Sequence, residues 1–328
     1  MLVVLVLSRS QVKSLLTMKE SIDAVENAFC ELARGTAAMP TRVSVPIPIN
    51  EGWLGVMPAF LSHAKSLATK VVTVYPHNST QRDLPNVLAL VILNDTETGQ
   101  VEAVMEGTYI TAIRTGAVAG VATKYLARKD STKLGLFGCG VQAGTQLEAV
   151  CQVRNIEIVR VYDSDKDRMQ NFISKSPKLN IQPTNNPKEV VQESDVVVTA
   201  TTSATPVFNG LDLKPGTHIN AIGAFTPDTR ELDDQTISRA KIVVDSLAAA
   251  LEEAGDIVIP LKEGVIGREN IWAQLGEITA GLKPGRTSDD ELTAFKSVGL
   301  GIQDAAVARL VFEKARDNHI GTEVTLTD

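Results

Sequence analysis

Residues 134–144 read Leu134-Gly135-Leu136-Phe137-Gly138-Cys139-Gly140-Val141-Gln142-Ala143-Gly144, and Thr145 to Val153 continue with helical spacing. An apolar run thus breaks into a G-x-G-x-x-A turn and resumes as a helix. Gly138 allows the tight turn, Gly140 lets backbone approach a pyrophosphate, and small Ala143 permits close helix–strand packing with phosphate at the helix N-terminus. Asp163 falls twenty residues after Ala143, at the end of the next apolar run, where an acid hydrogen-bonds the adenosine ribose hydroxyls. The loop therefore predicts cofactor contacts from Gly138, Gly140, Val141, Gln142, Ala143 and Asp163. Asp163 disfavours a ribose 2′-phosphate, so NAD is the expected cofactor. Lys166 and Arg168 soften that preference and keep NADP possible.

Working outward, apolar runs at 133–137, 156–162, 194–200, 217–222 and 241–244 alternate with helical stretches. They are continuous rather than alternating in polarity, as strands covered by helices on both faces must be. Two run ends, Thr199-Ala200-Thr201 and Ala221-Ile222-Gly223, are small or polar, which suits a crevice at the carboxyl edge of a parallel sheet. All six residues join the expected cofactor set. The first hundred residues read differently: a strand at 2–7, helices at 10–16 and 19–34, then successive strands between 42 and 105 separated by tight turns. That succession predicts a mostly antiparallel sheet. Residues 299–328 hold one helix and a short strand, too little for a core of their own, and should pack back on the first domain.

The fold class expected is α/β: a Rossmann-type doubly wound parallel sheet at 117–299, and a discontinuous α+β domain from 1–116 and 300–328. The 328 residues carry 32 Lys+Arg against 39 Asp+Glu, a net charge of −7 that argues against a large nucleic-acid surface. The N-terminal apolar run, Leu2 to Leu7, is shorter than a signal-peptide core, and no apolar stretch reaches the ~20 residues that cross a bilayer. The cytosol is the expected compartment, with no membrane partner. Cys30, Cys139 and Cys151 show no C-x-x-C spacing, and His63, His77, His218 and His319 no H-x-x-x-H pair, so no metal is expected.

Three cations stand out. Lys70 shares a strand face with Ala68, Val72 and Val74. Either desolvation lowers its pKa and fits it for proton transfer near neutrality, or it is an edge-strand lysine reaching solvent; periodicity leaves both open. Arg114 lies beside Gly116, Ala117 and Gly120, which invite close approach, and Arg42 follows Met39-Pro40-Thr41 at the start of a strand. Either guanidinium can grip a carboxylate bidentately.

Together these stretches resemble the ornithine cyclodeaminase/mu-crystallin family over nearly the whole chain. The marks are Met39-Pro40-Thr41-Arg42, the Lys70 strand, Ile113-Arg114-Thr115-Gly116-Ala117, Gly138 to Ala143, Ala221-Ile222-Gly223-Ala224, Arg230-Glu231-Leu232-Asp233, Val244-Asp245-Ser246 and Gly299-Leu300-Gly301-Ile302-Gln303-Asp304. The resemblance implies a homodimer, with the discontinuous domain serving dimerisation and substrate and the other binding a nicotinamide dinucleotide. It implies that Arg42, Lys70 and Arg114 hold a small substrate's carboxylate, with Lys70 catalytic, and that Arg114 and Thr115 also meet the cofactor. Family cyclodeaminases and archaeal alanine dehydrogenases carry an aspartate just after the Ile-Gly of the fifth Rossmann strand; here the matching position is Phe225, with Asp228 nearby. That looks like the ketimine reductase branch, with Phe225 as an apolar wall for a ring. The activity so implied is NAD(P)H-dependent reduction of a small α-imino acid. Alanine dehydrogenase, ornithine cyclodeaminase and a non-catalytic binding protein are the alternatives.

Overall fold

The computed structural model describes residues 2–327 and contains two eight-stranded sheets. Met1 and Asp328, the outer ends of the expected first domain, lie outside those residues. The chain divides into two compact units: one runs to Arg114 and resumes at Leu300, and the other is Thr115–Gly299. The first division falls inside the helix Gly107–Leu126, whose apolar sequence gives no sign of a junction.

The first unit contains β1 (Val3–Leu7), β2 (Ala37–Ala38), β3 (Val43–Ile47), β4 (Gly52–Leu61), β5 (Ser66–Val74), β6 (Val87–Asn94), β7 (Val101–Glu106) and the C-terminal strand Thr322–Thr325. Across the sheet the order is C-terminal strand, β1, β7, β6, β5, β4, β2, with β3 also pairing β4. The pairs from β3 through β7 are antiparallel, as the turn-rich sequence predicts, and among the described residues of this sheet only the β1–β7 pair is parallel. Residues opposite one another in such a ladder share a face. Met57, Lys70 and Val91 form one buried row, while Val43, Val56, Val71 and Leu90 form a row on the other face. The helix Gly301–Asp317 covers the first face across β4 and β5 and also packs on the helix Met18–Ala33. Its Ile302, Val307, Val311 and Phe312 are buried, each contributing about 1.5–3 kcal/mol.

The second unit is an all-parallel sheet of β8 (Lys133–Phe137), β9 (Ile158–Tyr162), β10 (Ile181–Pro183), β11 (Val196–Thr199), β12 (His218–Ala221), β13 (Lys241–Val244), β14 (Ile271–Gln274) and β15 (Thr293–Lys296). The order is β10-β9-β8-β11-β12-β15-β13-β14, so the chain leaves β8 on one side and returns on the other. Layers on both faces bury it, one around Phe137, Val197 and Ile219 and the other around Leu134, Leu136 and Val159. Strands β10, β14 and β15 were not foreseen: at three or four residues each, carrying Pro183, Gln274 or Lys296, they are too short for hydrophobic periodicity to mark. Among the described residues, no helix is long and apolar enough to cross a membrane.

Candidate active site

The glycine turn forms where β8 ends. Gly138 has φ +89°, and a Cβ there would lie 2.6 Å from the Ala200 carbonyl oxygen, so both conformation and space require glycine. Gly140 is exposed, and nothing lies within 4 Å of where its Cβ would be. It begins the helix Val141–Val153 without a side-chain cap, leaving the first backbone N–H groups to face outward with the positive helix end. Val141 is exposed, Gln142 half-buried, and Ala143 fully buried against the sheet. Asp163, at the end of β9, accepts the Cys139 N–H at 2.8 Å and the Asp165 N–H at 2.9 Å. The acid is thereby fixed to the turn. The Arg168 guanidinium lies 3.7 Å from it and partly balances its charge.

On the other side of β8, the ends of β11 and β12 converge on a residue that the sequence reading quoted but gave no role. The Glu231 carboxylate is fully buried and accepts five hydrogen bonds: from the Thr199 hydroxyl, the Thr201 N–H and hydroxyl, and the Gly223 and Ala224 N–H groups. Thr199 and Ala221, expected at the cofactor, are enclosed in the sheet, and the Thr199 hydroxyl is committed to Glu231. Ile222 is also buried, whereas Ala200, Thr201 and Gly223 are half-buried at the sheet edge. Beneath Glu231, the Asp256 carboxylate accepts the Glu231 and Leu232 N–H groups at 2.7 and 2.8 Å. Its other oxygen pairs with Lys296 Nζ at 2.7 Å, and Lys296 also donates to the Ala224 carbonyl.

In the first unit, β5 is an interior strand, which rules out the solvent-reaching reading of Lys70. The side chain is 1% exposed, and its Nζ lies 2.7 Å from Asp304 Oδ2. Burial pushes the Lys70 pKa down to about 7; neighbouring Arg114 and Arg42 push the same way, and Asp304 opposes them. Arg114 Nε donates to Asp304 Oδ1 at 3.1 Å and Nη1 to Gln303 Oε1 at 2.6 Å, which fixes the guanidinium plane. Arg42 is half-buried just before β3. Lys70, Arg114 and Arg42 thus share one electrostatic neighbourhood, and Asp304 is the acid within it. Asp304 also stands in a quoted motif without an assigned role. A lone lysine on an apolar face was the available signal, because it demands a counter-charge from somewhere else in the chain.

The remaining candidates separate cleanly. Burial and then Asp163 push the Cys139 thiol up to about 12, so it fills space rather than attacks. Burial, reinforced by Arg286, holds His218 down to about 3, a neutral ring between Thr293 and Asn220. Phe225 is 36% exposed, two residues beyond Gly223, and Asp228 is exposed. Thr115 is buried, with its carbonyl accepting from Gln146.

Residues 3–319 match the model of the ornithine cyclodeaminase/mu-crystallin family. An alanine dehydrogenase of Archaeoglobus fulgidus is 44% identical over 320 residues, covering 98% of each chain. A Thermococcus litoralis Δ1-pyrroline-2-carboxylate reductase, solved with NADH and L-proline, superposes with TM-score 0.95 at 49% identity, covering 98% of this chain and all of that one. An archaeal alanine dehydrogenase dimer with bound NAD superposes with TM-score 0.94 at 42% identity, covering 99% of this chain and 100% of the other. With its dinucleotide turn, its buried cation group and these likenesses along its whole length, the chain belongs to the ornithine cyclodeaminase/mu-crystallin family.

Proposed function

We propose that this protein is an NAD(H)-dependent oxidoreductase that reduces a small α-imino acid, a cyclic ketimine such as pyrroline-2-carboxylate, to the L-amino acid. The observation that carries the reading is the grouping of three cations, with Lys70 and Arg114 both paired to Asp304 and Arg42 acting on Lys70, in a chain that also holds a dinucleotide turn. Such a group favours a small anion. Arg42 and Arg114 hold the substrate carboxylate, and the bonds from Arg114 to Asp304 and Gln303 keep its fork oriented. Lys70, at a pKa of about 7, holds a proton at Nζ near neutrality and can pass it to the imino nitrogen or take it back. The exposed Gly140, the uncapped helix start and Asp163 fit a dinucleotide: Gly138 to Ala143 hold the pyrophosphate and Asp163 the adenosine ribose. When bound, NADH supplies the hydride that C2 of the imino acid accepts. On this reading the unit with Lys70 serves substrate and dimerisation, and Thr115–Gly299 serves the cofactor.

The test is a substrate panel with NADH and NADPH. Oxidation of NADH by pyrroline-2-carboxylate at neutral pH, faster than by pyruvate plus ammonia, is the expected result. The second reading, alanine dehydrogenase, draws on the 44% identical relative of that name, and preferential turnover of pyruvate with ammonia would replace the first by it. Ornithine cyclodeamination is disfavoured, because Phe225 offers no carboxylate and Asp228 is exposed.

The partner on this reading is a second copy of the chain. The sheet face opposite Lys70 presents the rows Val43–Val56–Val71–Leu90 and Val45–Leu54–Thr73–Leu88, with Val43, Val45, Leu88 and Leu90 exposed. The archaeal relative solved as a dimer supports that occupant. Sedimentation should give a dimer for the unmodified protein and a monomer for Leu90→Asp combined with Val43→Asp; a monomer before mutation would sink this part.

A further inference from the structure

We propose that Glu231, Asp256 and Lys296 form a positioning network for the nicotinamide half of the cofactor, acting through the ends of β11 and β12. The inference rests on the dinucleotide-binding reading above and assigns a role to a buried cluster that the reaction itself does not use. The strand order places the glycine turn of β8 between β9 on one side and β11 and β12 on the other. A dinucleotide straddles such a switch point. Asp163 on β9 takes the adenosine side, so the other half falls to the ends of β11 and β12.

Those ends carry small side chains, with Ala221 in the core beneath the sheet, and a single carboxylate ties their backbones together. Glu231 accepts backbone N–H groups from both, Thr201 at 2.7 Å on one and Gly223 at 2.7 Å on the other, bridging two loops with one carboxylate. Ala224 is gripped on both sides of the residue: its N–H reaches Glu231 and its carbonyl accepts from Lys296. Asp256 then fixes the Glu231 backbone N–H and pairs with Lys296, so each member of the network orients another. The fit leaves no slack. A Cβ at Gly223 would lie 2.2 Å from the Thr201 carbonyl oxygen, and one at Gly138 would lie 2.6 Å from that of Ala200. The pyrophosphate turn and the two strand ends therefore form one continuous backbone floor, and Glu231 joins its far half from below. None of the three acting side chains is more than 1% exposed, so they work through the loops they hold rather than by contact with cofactor.

The network predicts a split between the two halves of the cofactor. ADP carries the adenosine and pyrophosphate contacts of NADH without the nicotinamide half. Dissociation constants for both are measured by calorimetry on the full chain, with Glu231→Gln and with the double variant Lys296→Met/Asp256→Asn, which removes both members of the buried pair together. NADH affinity should fall about tenfold or more in each variant while ADP affinity stays within about twofold, a pattern that general structural damage does not give. Equal loss of both ligands, or retention of both, overturns the inference. If one variant fails to fold, the other decides by the same criterion. An unmodified protein that binds neither NADH nor ADP overturns the dinucleotide reading itself, and the inference with it; normal binding without the split overturns the inference alone.

Discussion

Each unit of the molecule buries one lysine–aspartate pair, Lys70–Asp304 in the first and Lys296–Asp256 in the second, both at 2.7 Å and both with a lysine 1% exposed. Their surroundings differ in sign. Around Lys70 the neighbours are Arg114 and Arg42, so cations outnumber the single acid. Around Lys296 the neighbours are Asp256, Glu231 and a backbone carbonyl, and both acids in turn accept backbone N–H donors. A buried ion pair by itself adds little stability, because desolvation offsets most of the Coulomb gain. What the pair does depends on the remaining charge. The first group is left positive and, on the proposed function, is relieved by an incoming carboxylate; the second is closed within the protein and holds backbone.

Four substitutions test this contrast, beginning with the largest effect. Lys70→Met should lower kcat by about 10³-fold with NADH affinity retained, since proton transfer is worth about 10²–10⁴-fold; a variant keeping a tenth of the activity would remove Lys70 from the reaction. Lys296→Met should instead act on stability, costing about 3–5 kcal/mol by stranding Asp256, read from the urea midpoint. A midpoint unchanged there would erase the distinction between the two pairs. Asp304→Asn should lower kcat/KM by about 10–100-fold and move the pH profile. Its sign follows from the charges: imino-acid reduction needs protonated Lys70 and falls as pH rises through about 7, and Asp304 is the group holding that value up. Without the acid, burial and Arg114 act unopposed, so the inflection moves to lower pH; an inflection that stays in place would assign it to another group. Smallest is Arg168→Ala, which should reduce the NADPH-to-NADH preference a few-fold by removing an exposed cation 3.7 Å from Asp163.

The parallel sheet was readable because Gly138, Gly140, Ala143 and Asp163 are local: their spacing alone encodes turn, helix start and the acid at the end of the next strand. The antiparallel sheet was readable from its turns, and Lys70 from its place on an apolar face. Asp304 and Glu231 were hidden for the opposite reason. Each meets side-chain partners far away in the chain, Asp304 reaching Arg114 across 190 positions and Glu231 reaching Thr199 across 32. A single buried carboxylate has no periodicity, and its donors are backbone N–H groups or distant side chains that residue type does not mark. Two of the motifs carrying the family resemblance, 230–233 and 299–304, hold these residues, and a third, 244–246, holds Asp245, which accepts from the Ser297 hydroxyl and the Val298 and Gly299 N–H groups. The motifs thus mark where buried acids sit.

The helix Gly301–Asp317 and the strand Thr322–Thr325, which pairs with β1, follow the whole of Thr115–Gly299 in the chain. During synthesis, therefore, the strands around Lys70 emerge first yet cannot finish assembling until the intervening unit has been made. Until then Lys70 and Arg114 have no aspartate, β4 and β5 have no covering helix, and one side of β1 is an open edge. On the proposed function, the charges that hold substrate are complete only once Asp304 has been made, so a ribosome that stalls before Leu300 yields the Thr115–Gly299 unit without a working site.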